Sequence, residues 1–182
     1  MRNLILWDMI SLDGHFSGPD GGLDWFAVDE DLEKYIQDVN SSVGTVLFGR
    51  ATYEGMRDFW SSQEGEIAEF MTAVPKVVFS TTLASADWDN STLVRDNVPG
   101  GDSEAKAAAG KDIFVFGSAD LSATLIEHGL VDEYRIGINP ILLGSGVPFF
   151  KGRTERLPLT LVDLRQFGSG VVILHYRPAG NA

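Results

Sequence analysis

The stretch VLFGRATYEGM, residues 46–56, is an apolar run that stops on Gly49-Arg50 and passes into a helical pattern. A buried strand ending on glycine and a permanent charge, with Thr52 close behind, has the equipment of an anion corner. Glycine lets a ligand approach the backbone, the first N–H groups of a helix point at it, and the guanidinium adds a positive charge. The chain has a formal net charge of −12, so the arginine is a local exception to an acidic background. Two further strand ends carry similar equipment. Phe79 leads to Ser80-Thr81-Thr82, and Phe116 leads to Gly117-Ser118-Ala119-Asp120. Taken singly, each corner also reads as an ordinary turn or helix cap. Their joint placement points to a ligand with several phosphates.

Outward from that stretch, strands and helices alternate. A first strand begins at residues 4–7 and runs through Ile10, and turn-rich SGPDGG follows at 17–22. Asp29 caps a helix in which Leu32, Tyr35, Ile36 and Val39 share a face. Strands are expected at 45–48, 76–79, 92–95, 113–116 and 134–138, and helices at 52–60, 64–73, 103–109 and from Gly117-Ser118 to a stop at Gly129. Strands at 159–167 and 171–176 close the chain as a hairpin through Gly168-Ser169-Gly170. Alternation followed by unaccompanied strands implies an α/β fold of one domain over residues 1–182. It is a three-layer α/β/α arrangement around a mostly parallel mixed sheet with an antiparallel C-terminal hairpin. In such sheets ligands bind beyond the carboxyl ends of the strands, where the three corners fall.

Composition narrows the function. A chain of 182 residues without cysteine has no disulfide framework and no thiolate chemistry, which fits a cytoplasmic protein. No apolar run approaches the roughly 20 residues of a membrane helix, and acids interrupt the N-terminal apolar run, so no signal peptide is expected. The acidic balance argues against a nucleic-acid partner. It leaves room for a small phosphorylated ligand, because charges beyond about 8 Å are screened.

Other constellations carry less. His15, His128 and His175 lack metal-ligand spacing, so no metal is expected, and His128 reads as a helix C-terminal residue. Asp8, Asp13, Asp20 and Asp24 do not have the spacing of a calcium loop. Gly144-Ser145-Gly146 reads as a turn, not a nucleophile elbow. Trp25, Phe26, Tyr53 and Phe59 read as core, with Trp25 also a candidate ring wall.

VLFGRATYEGM, VVFST (77–81) and IFVFGSADLSATLI (113–126) resemble the three cofactor-binding segments of the dihydrofolate reductase-like fold. ISLDGHFSGPDGGLDWF (10–26) and HGLVDEYRIGINPILLGSGVPFF (128–150) are similar to the C-terminal reductase branch of riboflavin biosynthesis. The resemblance covers nearly the whole chain. It implies that Gly49, Arg50 and Thr52 meet the phosphates of NADPH, and that Ser80 and Thr81 meet its 2′-phosphate. Gly117, Ser118, Ala119, Asp120 and Leu121 would cradle pyrophosphate and ribose, and Met9 and Phe16 would contact the nicotinamide. Two positions depart from the pattern: Ser118 stands where the fold often has a second glycine, and His15 stands where riboflavin-pathway reductases have lysine.

The expected activity is NADPH-dependent transfer of hydride to a pterin-like or pyrimidine-like heterocycle. The riboflavin-pathway ribosylamino-pyrimidine is the alternative substrate, and a nucleotide-binding module without turnover is the rival from another class. Asp13 and Asp31 are the candidate catalytic carboxylates, each of which also reads as a turn or helix-start residue. Residues 14–22 are expected to form an irregular lid. The apolar, glycine-broken segment at 141–150 is expected to fold back on the sheet or, as the resemblance favours, to meet a second copy in a homodimer.

Overall fold

The structure is a computed structural model that describes residues 1–95, 106–107, 109–151 and 155–180. The helix expected at 103–109 falls mostly outside them. Eight strands form one sheet: β1 (Leu4–Ser11), β3 (Val43–Gly49), β4 (Lys76–Phe79), β5 (Ser91–Val94), β6 (Asp112–Phe116), β7 (Glu133–Asn139), β9 (Leu159–Gln166) and β10 (Val172–Pro178). Their order is β5-β4-β3-β6-β1-β7-β10-β9. All neighbours from β5 to β7 run parallel, while β10 is antiparallel to both β7 and β9. The expected mixed sheet with an antiparallel end is present.

Period-two alternation along β1 divides the core. Ile5, Trp7 and Met9 face a cluster built with α1 (Glu30–Asn40), α2 (Arg50–Trp60) and α3 (Glu66–Ala73). Leu4, Leu6 and Ile10 face the opposite cluster, built with α4 (Ala119–Glu127). Helices on both faces bury every residue of this central strand, which explains why it reads as almost continuously apolar.

Local signals set the helix ends. The Asp29 carboxylate accepts the Leu32 amide at 2.8 Å and starts α1, whose Leu32 and Val39 are buried. Burying such side chains stabilises the fold by about 1.5–3 kcal/mol each. Gly129, with φ of +65°, ends α4 after His128, whose ring Nδ1 lies 2.9 Å from the Thr124 carbonyl oxygen. Tyr53 is fully buried and its hydroxyl accepts the Trp88 amide. Phe59 is a correction to the expected core, because it sits 54% exposed near the end of α2.

The loop after β1 also departs from expectation. His15–Ser17 form a short strand, β2, antiparallel to β8 (Val147–Pro148). The Phe149 amide donates to the Gly14 carbonyl, and Phe149 itself is buried. Residues 15–17 therefore hold regular structure, borrowed from residues 147–148, which lie 130 or more positions away. Local glycine and proline content carries no sign of that pairing.

Candidate functional site

The carboxyl ends of β3 and β6, adjacent strands, open the crevice. Gly49 ends β3 and starts α2, while Gly117-Ser118 end β6 and start α4. The Gly49 amide donates to the Ser118 hydroxyl at 2.7 Å, so the two corners touch. A Cβ on Gly49 would stand 2.9 Å from that hydroxyl oxygen, so any side chain there would have to displace it. Gly117 has φ of +70°, and a Cβ on it would stand 2.9 Å from both the Phe16 ring and the Thr52 methyl. Ser118 also lies in the left-handed region, at φ of +63°, an unfavourable place for serine.

Helix ends set the electrostatics. Asp29 caps α1, but neither Gly49 at α2 nor Ser118 at α4 gives a side-chain hydrogen bond to its helix. Two helix starts on opposite faces of the sheet thus meet side by side with first-turn amides that no cap satisfies. Arg50, half-exposed, pairs with Glu54 at 3.5 Å, an exposed contact weak enough to exchange for a ligand.

At the neighbouring corner, Ser80 accepts the amides of Thr82 and Leu83, and Thr81 is exposed. The Ser80 oxygen is therefore occupied in a local turn, and its hydroxyl also lies 3.4 Å from that of Thr82. In α4, Ala119 and Leu121 put their side chains into the core, while Asp120 is exposed and pairs with Lys151. Only the amides of these three residues suit an anion.

The structure brings Phe16, Gly49, Thr52, Gly117 and Ser118 together, with Arg50 alongside. Met9 and Phe16 belong to different faces. Met9 packs against Gly137 in the cluster of α1, α2 and α3, and Phe16 packs near Phe149 in the cluster of α4.

The two aspartates also separate. Asp31 lies exposed on the first turn of α1, 3.9 Å from Lys34. Asp13 accepts the Ser11 hydroxyl at 2.6 Å and the amides of Leu143 and Gly144 at 3.1 and 2.7 Å. The Ser11 hydroxyl, then the Gly144 amide, hold its carboxyl well below the usual carboxylate range. Asp13 is thus an ionised acceptor that clamps the 141–150 segment to the end of β1. His15 Nδ1 lies 3.3 Å from it.

One residue at the crevice carries no assignment from motif reading: Asp8, buried in β1 and touching Gly117. The signal that marks it is an acid inside an otherwise apolar strand, LILWDMIS.

Comparison with known proteins follows this geometry. The chain is 34% identical over 184 residues to the uncharacterized protein YyaP of Bacillus subtilis (strain 168), covering 96% of this chain and 94% of that one. A putative riboflavin biosynthesis protein from Shewanella sp. PV-4 has the same fold, with a TM-score of 0.82 at 21% identity and coverage of 98% and 99%. So has a Thermotoga maritima diaminohydroxyphosphoribosylaminopyrimidine deaminase/5-amino-6-(5-phosphoribosylamino)uracil reductase. Its TM-score is 0.71 at 15% identity, over 98% of this chain and 57% of that one. The profile of the RibD C-terminal domain matches residues 2–99 and 103–173, and the chain belongs to that family.

Proposed function

We propose that this chain is an NADPH-dependent reductase that transfers hydride to a C=N or C=O group of a pterin-like or pyrimidine-like heterocycle. The observation that carries the reading is the Gly49–Ser118 contact, where two uncapped helix starts converge beside Arg50. Glycines that a Cβ would fill, amides without caps and a cation free to turn form a cradle suited to a pyrophosphate. Ser80 and Thr81, one strand further out, suit the additional 2′-phosphate. Family membership and the reductase named among the structural relatives support the reaction class.

NADPH, when bound, supplies the hydride. The residues of this chain bind, orient and exclude water. Amides of α2 and α4 hold phosphate oxygens, and Arg50 balances their charge. The β2–β8 ribbon and Phe16 border the crevice and shield it from solvent. Asp13, held ionised, acts as an acceptor: it fixes the loop and can receive an N–H of the heterocycle, but it has no proton to give.

Steady-state NADPH oxidation with a panel of pterins and pyrimidines, including the ribosylamino-pyrimidine, tests the reading. Turnover with at least one heterocycle is expected. Tight NADPH binding without oxidation across the panel would instead make the protein a nucleotide-binding module.

We also propose a homodimer. Phe149 folds back into the core, and among the large apolar side chains of residues 141–150 Leu142, Val147 and Phe150 are exposed. The larger apolar surface is β9, the outermost strand of the sheet among the described residues, whose Leu159, Leu161, Val162 and Leu164 are all exposed. Two antiparallel copies of β9 centred on Leu164 would set Asp163 opposite Arg165 on both sides, which makes the edge self-complementary.

A further inference from the structure

We propose that Asp8 donates a hydrogen bond from Oδ2 to the nicotinamide end of the bound dinucleotide; the inference rests on the NADPH reading above.

Asp8 is the sole ionisable residue of β1, a strand buried at all eight positions. Its Oδ1 accepts the amide of the next residue, Met9, at 2.8 Å, and the carboxyl lies against the Gly117 amide. Oδ2 is buried and has no hydrogen-bond partner, and among the described residues no cation pairs with the group. A buried polar atom without a partner destabilises the folded chain by about 1–3 kcal/mol. An apolar residue here would match its neighbours Leu6 and Ile10 on the same face. Departures of this kind from local consistency concentrate at functional sites.

The protonation state follows from the surroundings. Burial pushes the carboxyl well above the usual range, and the Met9 and Gly117 amides offset only part of that. That direction favours the protonated carboxyl over the carboxylate. The Met9 amide donates to Oδ1, so Oδ2 is where an O–H has something to offer.

Position decides the ligand. Asp8 lies between Ile136 of β7 and the corner after β6, on the face that carries α4. Phe16 packs over the same Gly117 that contacts Asp8. That ring sits on β2, a three-residue strand that among the described residues pairs with two-residue β8. Displacing it opens Gly117 and the carboxyl beneath, one residue from Met9. A neutral acid suits an uncharged acceptor, such as the carboxamide or ribose oxygen of the nicotinamide half.

Calorimetric titration of the full chain with NADPH and with 2′,5′-ADP, which shares the adenosine phosphates but lacks the nicotinamide half, tests this. In Asp8→Leu the NADPH affinity should fall about tenfold, 2′,5′-ADP affinity should stay unchanged, and the melting temperature should not drop. Asp8→Asn retains a donor and should stay within about threefold of wild type for NADPH. Should leucine overfill the site and prevent folding, Asp8→Ala provides the same comparison. Undiminished NADPH binding in Asp8→Leu, or equal loss of both ligands, overturns the Asp8 assignment while the dinucleotide reading stands. If wild type binds neither ligand, the dinucleotide reading falls, and this assignment with it.

Discussion

The Gly49 amide reaches the Ser118 hydroxyl at 2.7 Å, and this single bond ties together the starts of helices on opposite faces of the sheet. It explains how serine is tolerated where φ is +63°: the hydroxyl satisfies an amide that has no helical partner, which offsets the backbone cost. Ser118→Ala keeps the strained backbone and loses the bond, so it should destabilise by about 1–2 kcal/mol. Ser118→Gly loses the bond but relieves the strain, and should cost less than half as much. Urea midpoints of the two variants decide; equal losses would remove strain from the explanation.

At the far end of the sheet, Glu133 is buried among Arg135, Arg177 and His175, at 2.9, 2.6 and 2.9 Å. Burial alone would push its carboxyl up, but the hydrogen bonds from Arg177 and Arg135 reverse this and leave it below the ordinary value. A depressed carboxyl stabilises the fold above its unfolded pKa, and that stability is lost as pH falls through the lower, folded value. Acid unfolding should therefore show a contribution below the ordinary glutamate range that Glu133→Gln abolishes. At neutral pH the same variant should cost about 3 kcal/mol, because the Arg135 and Arg177 guanidinium groups lose their counter-charge. A flat stability difference between pH 7 and pH 3 would contradict the assignment.

The β2–β8 ribbon is short, and Asp13 ties the loop beside it to the end of β1. Hydrogen exchange at residues 14–22 should be fast in the free protein and slowed by NADPH. Unchanged protection on adding cofactor would remove the lid role.

Pairing along β9 should give a mass of two chains by light scattering at micromolar concentration, with roughly 800 Å² buried per subunit. Leu164→Lys places like charges opposite each other at the centre and should yield single chains with unchanged NADPH affinity. A wild-type mass of one chain at high micromolar concentration would exclude the dimer.

Strand and helix types were legible because their signals are local: the Asp29 cap, the Gly129 stop and the alternation in β1 each sit within a few residues. The crevice corners were legible as strand–glycine–helix junctions. Contacts set by distant parts of the chain were not. The β2–β8 pairing joins residues 15–17 to 147–148, and the Asp13 clamp spans 130 positions. Lys76 is similar: a strand-forming context hides an ammonium whose Nζ donates to the carbonyls of Thr72, Val74 and Asp89. Phe59 misled because its spacing is helical, yet it stays 54% exposed near the end of α2, edge-on to Trp60.

The central claim is the phosphate cradle beside Arg50, and calorimetric titration of NADPH into wild type and Arg50→Ala tests it most directly. Wild type should bind NADPH more tightly than NADH. Arg50→Ala should lose about 1.5–3 kcal/mol of NADPH affinity, the range for hydrogen bonds to charged groups, without a change in melting temperature, since Arg50 is half-exposed. An Arg50→Ala protein that binds NADPH as tightly as wild type would show that the cradle is not where the phosphates sit.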